Sequence, residues 1–190
     1  MRRILILLIL LTIGLFVAFA VTLSGCTGSK GGKTMKKFYS SEIVFPSSLE
    51  RIEGKSGRHF DPNSPGVRFV VYVDSIQCST CHLNRMPKYS QYASLETLYP
   101  DFQLVAIIWP NAESAPTMAA DIAHREFPFD IFLDKDGSFA AANPSIPLNR
   151  DSHCFLLDRE NHPVFAGAPS STKGKEMLLH NTIYSLYGQK

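Results

Sequence analysis

Two cysteines three positions apart, Cys78 and Cys81, are the residues here whose types and spacing most directly suggest chemistry. They follow a β-branched apolar run at residues 67–73 and precede Leu83, Met86, Tyr89, Tyr92 and Leu95, which recur at helical spacing. A strand, a short turn and a dithiol opening a helix is what thiol–disulfide exchange requires. The first sulfur then sits at the positive end of the helix, where unpaired N–H groups stabilise a thiolate. The second is within reach to close a disulfide and release a partner. Zinc sites use the same Cys-x-x-Cys spacing, so it is the flanking strand and helix that favour redox chemistry.

The elements around the pair follow from composition and periodicity. Residues 38–66 are polar and broken by Pro46, Gly54, Gly57, Pro62 and Pro65, with residues 42–45 the one strand-like stretch. Residues 68–73 form a strand nearly continuous in apolar residues, and 81–99 a helix that stops at Pro100. A second apolar strand spans 102–109 and a helix 114–125, with a short strand at 129–133 closed by Asp134-Lys135-Asp136-Gly137. Residues 139–149 have no clear period. Residues 154–157 and 164–166 flank a polar turn and form a hairpin, and 173–187 a closing helix. This alternation predicts an α/β fold, with a central mixed β-sheet flanked by helices.

The N-terminus indicates location. Arg2 and Arg3 precede an uncharged apolar stretch ending Leu23-Ser24-Gly25-Cys26, the layout of a secretory signal. The ending resembles a bacterial lipoprotein lipobox. That resemblance implies a signal peptide over residues 1–25, cleavage before Cys26 and lipid on its sulfur. The alternative is an uncleaved span, since about twenty apolar residues cross a bilayer. Either places the folded part outside the cytoplasm, in the cell envelope. Residues 26–41, rich in Gly, Ser, Thr and Lys, are expected to be a flexible spacer, with the domain over 42–190. Of 19 basic and 17 acidic residues, two Arg lie in the signal, so the mature chain balances at zero. Nothing in that balance calls for nucleic acid as a partner. With Cys26 lipidated, Cys78, Cys81 and Cys154 remain, an odd count.

With these residues in view, the chain resembles the TlpA-like and redoxin-like branch of the thioredoxin superfamily, and more narrowly small lipoproteins of that type from Bacteroidetes. The likeness rests on Tyr72-Val73-Asp74-Ser75 before the Cys pair, Ile108-Trp109-Pro110, Phe155-Leu156-Leu157-Asp158, and the run from His162 to Pro169. It implies a thioredoxin-like fold over about residues 42–188. It further implies Cys78 as the attacking nucleophile, Cys81 as a more enclosed resolving thiol, periplasmic protein dithiols or disulfides as partners, and no cofactor. The chain departs from that pattern at Gln77, usually Trp, and at Tyr72, usually a buried acid. It departs again at Pro87, one position late, and at Ser152, in place of a cis-proline beside the Cys78 sulfur. An ordinary trans bond is expected there.

His153 and Cys154 follow that altered position. His153 is expected either to stabilise the Cys78 thiolate or donate a proton, or to be an ordinary strand-end histidine. Cys154 is either a small buried strand residue or a third redox thiol. Two other functions stay open. Cys78, Cys81, His82, His153 and Cys154 have the ligand types for copper(I) or zinc, as in a metallochaperone. The departures would also suit a catalytically degenerate binding module. The Pro-x-x-x-Thr-x-x-Cys pattern of peroxiredoxins is absent before Cys78.

Overall fold

The computed structural model describes residues 30–55, 60–62, 64–169 and 172–188. The expected signal segment and Cys26 lie outside them. The chain divides into two units, Met1–Lys33 and Thr34–Lys190, and the second contains the whole sheet and the cysteine pair. No helix among the described residues is long and apolar enough to cross a membrane.

Six strands form one sheet in the order β1-β4-β3-β2-β5-β6, built from β1 (Glu50–Ile52), β2 (Val67–Val73), β3 (Phe102–Ile108), β4 (Ile131–Leu133), β5 (Cys154–Leu157) and β6 (Pro163–Ala166). β2, β3 and β4 are mutually parallel, whereas β5 pairs antiparallel with β2, β6 with β5 and β1 with β4. This is the mixed sheet the element order predicts. All seven residues of β2 are buried, because the sheet is covered on both faces and a strand at its centre has no solvent side. Val67, Phe69, Val71 and Val73 point into one apolar cluster, with Val70 and Tyr72 in the other, as the two-residue period of a strand dictates.

The first cluster lies under α2 (Ser79–Arg85), a 3-10 turn (Met86–Tyr89), α3 (Ser90–Ala93), α4 (Leu95–Leu98), α5 (Met118–Arg125) and α7 (Lys173–Gly188). The single helix expected over 81–99 is therefore divided. Pro87 supplies no N–H and sits in the first turn of the 3-10 segment, where it breaks the i→i−4 ladder. The second cluster lies under α1 (Lys30–Tyr39) and α6 (Ser138–Ala142). Here the expected spacer is corrected. Met35 and Phe38 stand three apart on one face of α1; Phe38 is fully buried, its ring 5.4 Å from that of Phe155. Two anchors in a segment rich in Gly and Lys suffice to dock it, and composition averages conceal them. The folded unit thus begins before residue 42.

Residues 42–45 form no strand. Ile43 N–H donates to the Asn161 carbonyl, while Val44 exchanges two 2.8 Å hydrogen bonds with the Asn143 side chain. An amide side chain takes the place of a neighbouring strand and satisfies that backbone. The edge strand is instead β1. Between 139 and 149, where the sequence shows no period, α6 forms because the buried Asp134 carboxylate accepts from Ser138 N (2.9 Å) and Phe139 N (3.1 Å). The turn before it needs Gly137, at φ +74°, since a Cβ there would lie 2.6 Å from the Trp109 ring.

Gly137→Ala is expected to destabilise the domain by about 1–2 kcal/mol or more, from the left-handed backbone alone plus displacement of Trp109. Urea unfolding with Trp109 fluorescence checks this; an unchanged midpoint and emission maximum would contradict the contact.

Candidate functional site

The carboxyl ends of β2 and β3 and the start of β5 meet at one edge of the sheet, and the cysteine turn grows out of it. Trp109 N donates to the Val73 carbonyl (2.8 Å), and Tyr72 N to the His153 carbonyl (2.9 Å). After Val73, Asp74 shapes the loop: its Oδ1 accepts from the backbone N–H of both Ile76 and Gln77, each at 3.1 Å. Such an Asx turn reverses the chain within three residues, which brings Cys78 to the start of α2. The Ser79 hydroxyl, fully buried, accepts from Asn111 N at 3.1 Å and ties that helix to the loop after β3.

Cys78 caps α2, and its sulfur accepts from Cys81 N at 3.2 Å. The two sulfurs are joined as a disulfide. Cys78 is exposed and lines a cavity of about 400 Å³ together with His82, Arg85, Tyr89, Arg150 and His153, among others. Cys81 is exposed too, which corrects the expectation of an enclosed resolving thiol. The buried residues of α2 are Ser79 and Leu83, four apart on the inner face. Cys81, two residues from each, falls on the opposite side of the helix.

His153 is placed close to the turn, but its ring is already committed. Nε2 lies 3.0 Å from the Pro147 carbonyl, which can only accept, so Nε2 carries the hydrogen. Nδ1 then accepts from the Gln77 amide at 3.4 Å. Burial pushes the His153 pKa down. The Pro147 hydrogen bond and Asp74, 3.9 Å away, oppose that shift, and Arg150 adds to it. An imidazolium standing beside the Cys78 sulfur is therefore not what the geometry provides. A neutral His153 holds Gln77, the residue before Cys78.

Ser152 is also corrected. Its hydroxyl turns toward the Met35 sulfur at 3.9 Å, under α1, and Ser152 does not line the Cys78 cavity. No peptide bond among the described residues is cis. Cys154 is a buried strand residue opposite Val71, its sulfur 3.3 Å from the Tyr89 hydroxyl, and burial raises its pKa. Of the residues weighed as metal ligands, Cys78, His82, His153 and Cys154 line one cavity. No group of three His, Cys, Asp or Glu among the described residues is placed to hold an ion.

Sequence reasoning named Asp74 and Gln77 only as positions in the resemblance, without the contacts they make, and missed Pro147 and the basic side chains around Cys78. Asp74 alone carried a signal, as an Asp directly after a strand and four residues before the first cysteine. A second, more apolar cavity of about 270 Å³ lies alongside, bounded by Ile76, Trp109, Ile146, Leu148, Tyr72 and His153.

No known family model matches the sequence, and no curated protein does. Solved structures do. A thioredoxin-like protein determined in its oxidised form shares 15% identity at a TM-score of 0.50, over 78% of this chain and 95% of its own. A thioredoxin-like protein from Porphyromonas gingivalis (16%, TM-score 0.48, 79% and 96%) and StoA from Bacillus subtilis (17%, 0.43, 70% and 99%) also align. At these identities the likeness concerns the fold. With a mixed central sheet flanked by helices, that fold is thioredoxin-like.

A buried neutral His153 makes stability depend on pH. The unfolded chain takes up a proton near the ordinary histidine value of 6.5, while the folded one resists it. Stability is then full above 6.5 and lost as pH falls below it, because the unfolded state binds more protons. His82, whose pKa burial also lowers, acts in the same direction. Urea midpoints are expected to drop between about pH 7.5 and 5.5, with His153→Gln shallower over that window. A wild-type midpoint flat across the range would mean that the folded protein accepts the proton.

Proposed function

We propose that this chain is a membrane-tethered, extracytoplasmic thiol–disulfide oxidoreductase acting on periplasmic protein dithiols or disulfides. The observation that carries the reading is the solvent-exposed Cys78–Cys81 disulfide, with Cys78 capping α2 and opening into a cavity. A disulfide that served only to brace the fold has no need of such exposure, whereas exchange depends on access to the attacked sulfur.

In the reducing direction, the Cys78 thiolate attacks one sulfur of a partner disulfide. A Cys78–partner bond forms, and the other partner sulfur leaves as a thiolate that takes a proton. Cys81, deprotonated, then attacks the Cys78 sulfur, closes the disulfide and releases the second partner thiolate. Two electrons pass from the protein dithiol to the partner. The reverse sequence oxidises a dithiol. In the reduced protein, the Cys81 N–H that meets the Cys78 sulfur stabilises the first thiolate. His153 is a positioning residue in this scheme, acting through Gln77.

Cys81→Ser is expected to accumulate mixed disulfides with partners, seen as reductant-sensitive adducts on non-reducing gels, and Cys78→Ser to accumulate none. Adducts of equal yield from both variants would remove Cys78 from its role as the attacking thiol.

The tether rests on Leu23-Ser24-Gly25-Cys26 after an apolar, doubly basic leader. Mass spectrometry of the mature protein is expected to find residue 26 as its acylated N-terminus, and Cys26→Ala to leave an unlipidated precursor. A mature N-terminus within residues 27–41 bearing no acyl chain would refute the lipoprotein assignment.

A further inference from the structure

The cavity at Cys78 is unbalanced in charge. Arg85 from α2, Lys88 from the 3-10 turn after it and Arg150 from the 3-10 turn before β5 all line it, and Asp151 is the one carboxylate among its lining residues. All four are exposed. Neither Arg85 nor Arg150 takes part in an ion pair among the described residues. Lys88 lies 4.7 Å over the Tyr89 ring. Three cations to one carboxylate is a local excess, because the whole chain carries 19 basic and 17 acidic residues. The two histidines of the cavity, His82 and His153, both have lowered pKa values, to which Arg85 and Lys88 contribute at His82 and Arg150 at His153.

Positive charge along the walls of a cleft concentrates the field within it, and Cys78 is one of the residues that line this cleft. A partner cysteine must come within bonding distance of the Cys78 sulfur. In an extended segment, side chains next to it advance about 3.3 Å per residue, so neighbouring carboxylates fall within reach of guanidinium groups on the rim. Guanidinium pairs with carboxylate through two parallel hydrogen bonds.

We infer that the cavity selects extended partner segments in which acidic side chains flank the disulfide-bonded cysteine. The inference rests on the oxidoreductase reading and names its substrate class. Selection acts when the Cys78 thiolate displaces one partner sulfur as a thiolate and forms the mixed disulfide; the flanking carboxylates bind before and during that displacement and undergo no covalent change.

Three short peptides, each a symmetric disulfide of one cysteine flanked by Glu, Gln or Lys, provide the test. Each is mixed with the reduced full-length chain, and release of the peptide thiol together with oxidation of the Cys78–Cys81 pair is timed by acid quench and mass spectrometry. At low salt the Glu peptide is expected to react about tenfold faster than the Gln peptide, the low end of what charged clefts achieve. The Lys peptide should be slowest. Near 1 M salt, where screening acts over about 3 Å, the three rates should converge. Arg85→Glu combined with Arg150→Glu should reverse the order, while circular dichroism confirms the fold. Any change in Cys78 acidity alters all three rates alike and cancels in their ratios. Equal rates for Glu and Gln peptides at low salt, or a Glu preference retained by the double variant, would overturn the inference and leave the oxidoreductase reading standing. Exchange with none of the three would overturn both.

Discussion

The antiparallel pairing of β2 with β5 is the constraint on which the site depends. Arg68 to Val71 pair with Leu157 to Cys154, and the ladder continues in the hydrogen bond from Tyr72 N to the His153 carbonyl. That register brings the end of one strand and the start of another, far apart in sequence, to the same edge. A slip of one residue would exchange the faces of Cys154 and His153. It would turn the Cys154 sulfur away from Tyr89 and separate His153 from Gln77. The geometry before Cys78 is thus a consequence of sheet register more than of the cysteine turn itself.

The buried length of β2 is held at its other end by Arg68, a fully buried cation within the sheet. Its guanidinium donates to the carbonyls of Gly66, Asp61 and Ser64 and to the Asn161 side chain, and it lies 5.4 Å from the Phe60 ring. Burial lowers its pKa. These oxygens belong to the loop before β2 and the turn between β5 and β6. One side chain therefore joins the segments flanking β2 and β5, and desolvation makes the loss of any partner costly.

The central strands, the hairpin and the closing helix are legible from apolar runs and turn residues because their signals are local. So is Cys154, whose small size and strand position make burial the simplest outcome. The segments that differ from expectation depend on partners distant in sequence. Residues 42–45 are completed by Asn143, and α1 is anchored by Met35 and Phe38 against residues more than a hundred positions away. Pro87 does signal the division of the helix after Cys78, although apolar periodicity runs straight through it. For His153 the sequence indicates position but not state: which atoms its nitrogens meet follows from Pro147 and Gln77, and no single sequence encodes that pairing. The basic rim is similar. Arg85 and Arg150 are ordinary surface residues taken singly and acquire meaning only when a helix and a turn from different parts of the chain line one cavity.

The placement of Cys154 has a consequence for how electrons are counted. An odd thiol near an exposed dithiol ordinarily opens three pairings, and a protein cycling between oxidation states would pass through wrong ones. Here the third thiol lines the same cavity as Cys78 but is buried, its sulfur 3.3 Å from the Tyr89 hydroxyl, and burial raises its pKa, which holds it back from the reactive thiolate form. The Cys78–Cys81 pairing is therefore favoured over either pairing with Cys154, and electrons exchanged through it move in pairs. Its reduction should follow a two-electron Nernst slope of about 30 mV per decade, with no one-electron shoulder and no scrambled isomers to be repaired.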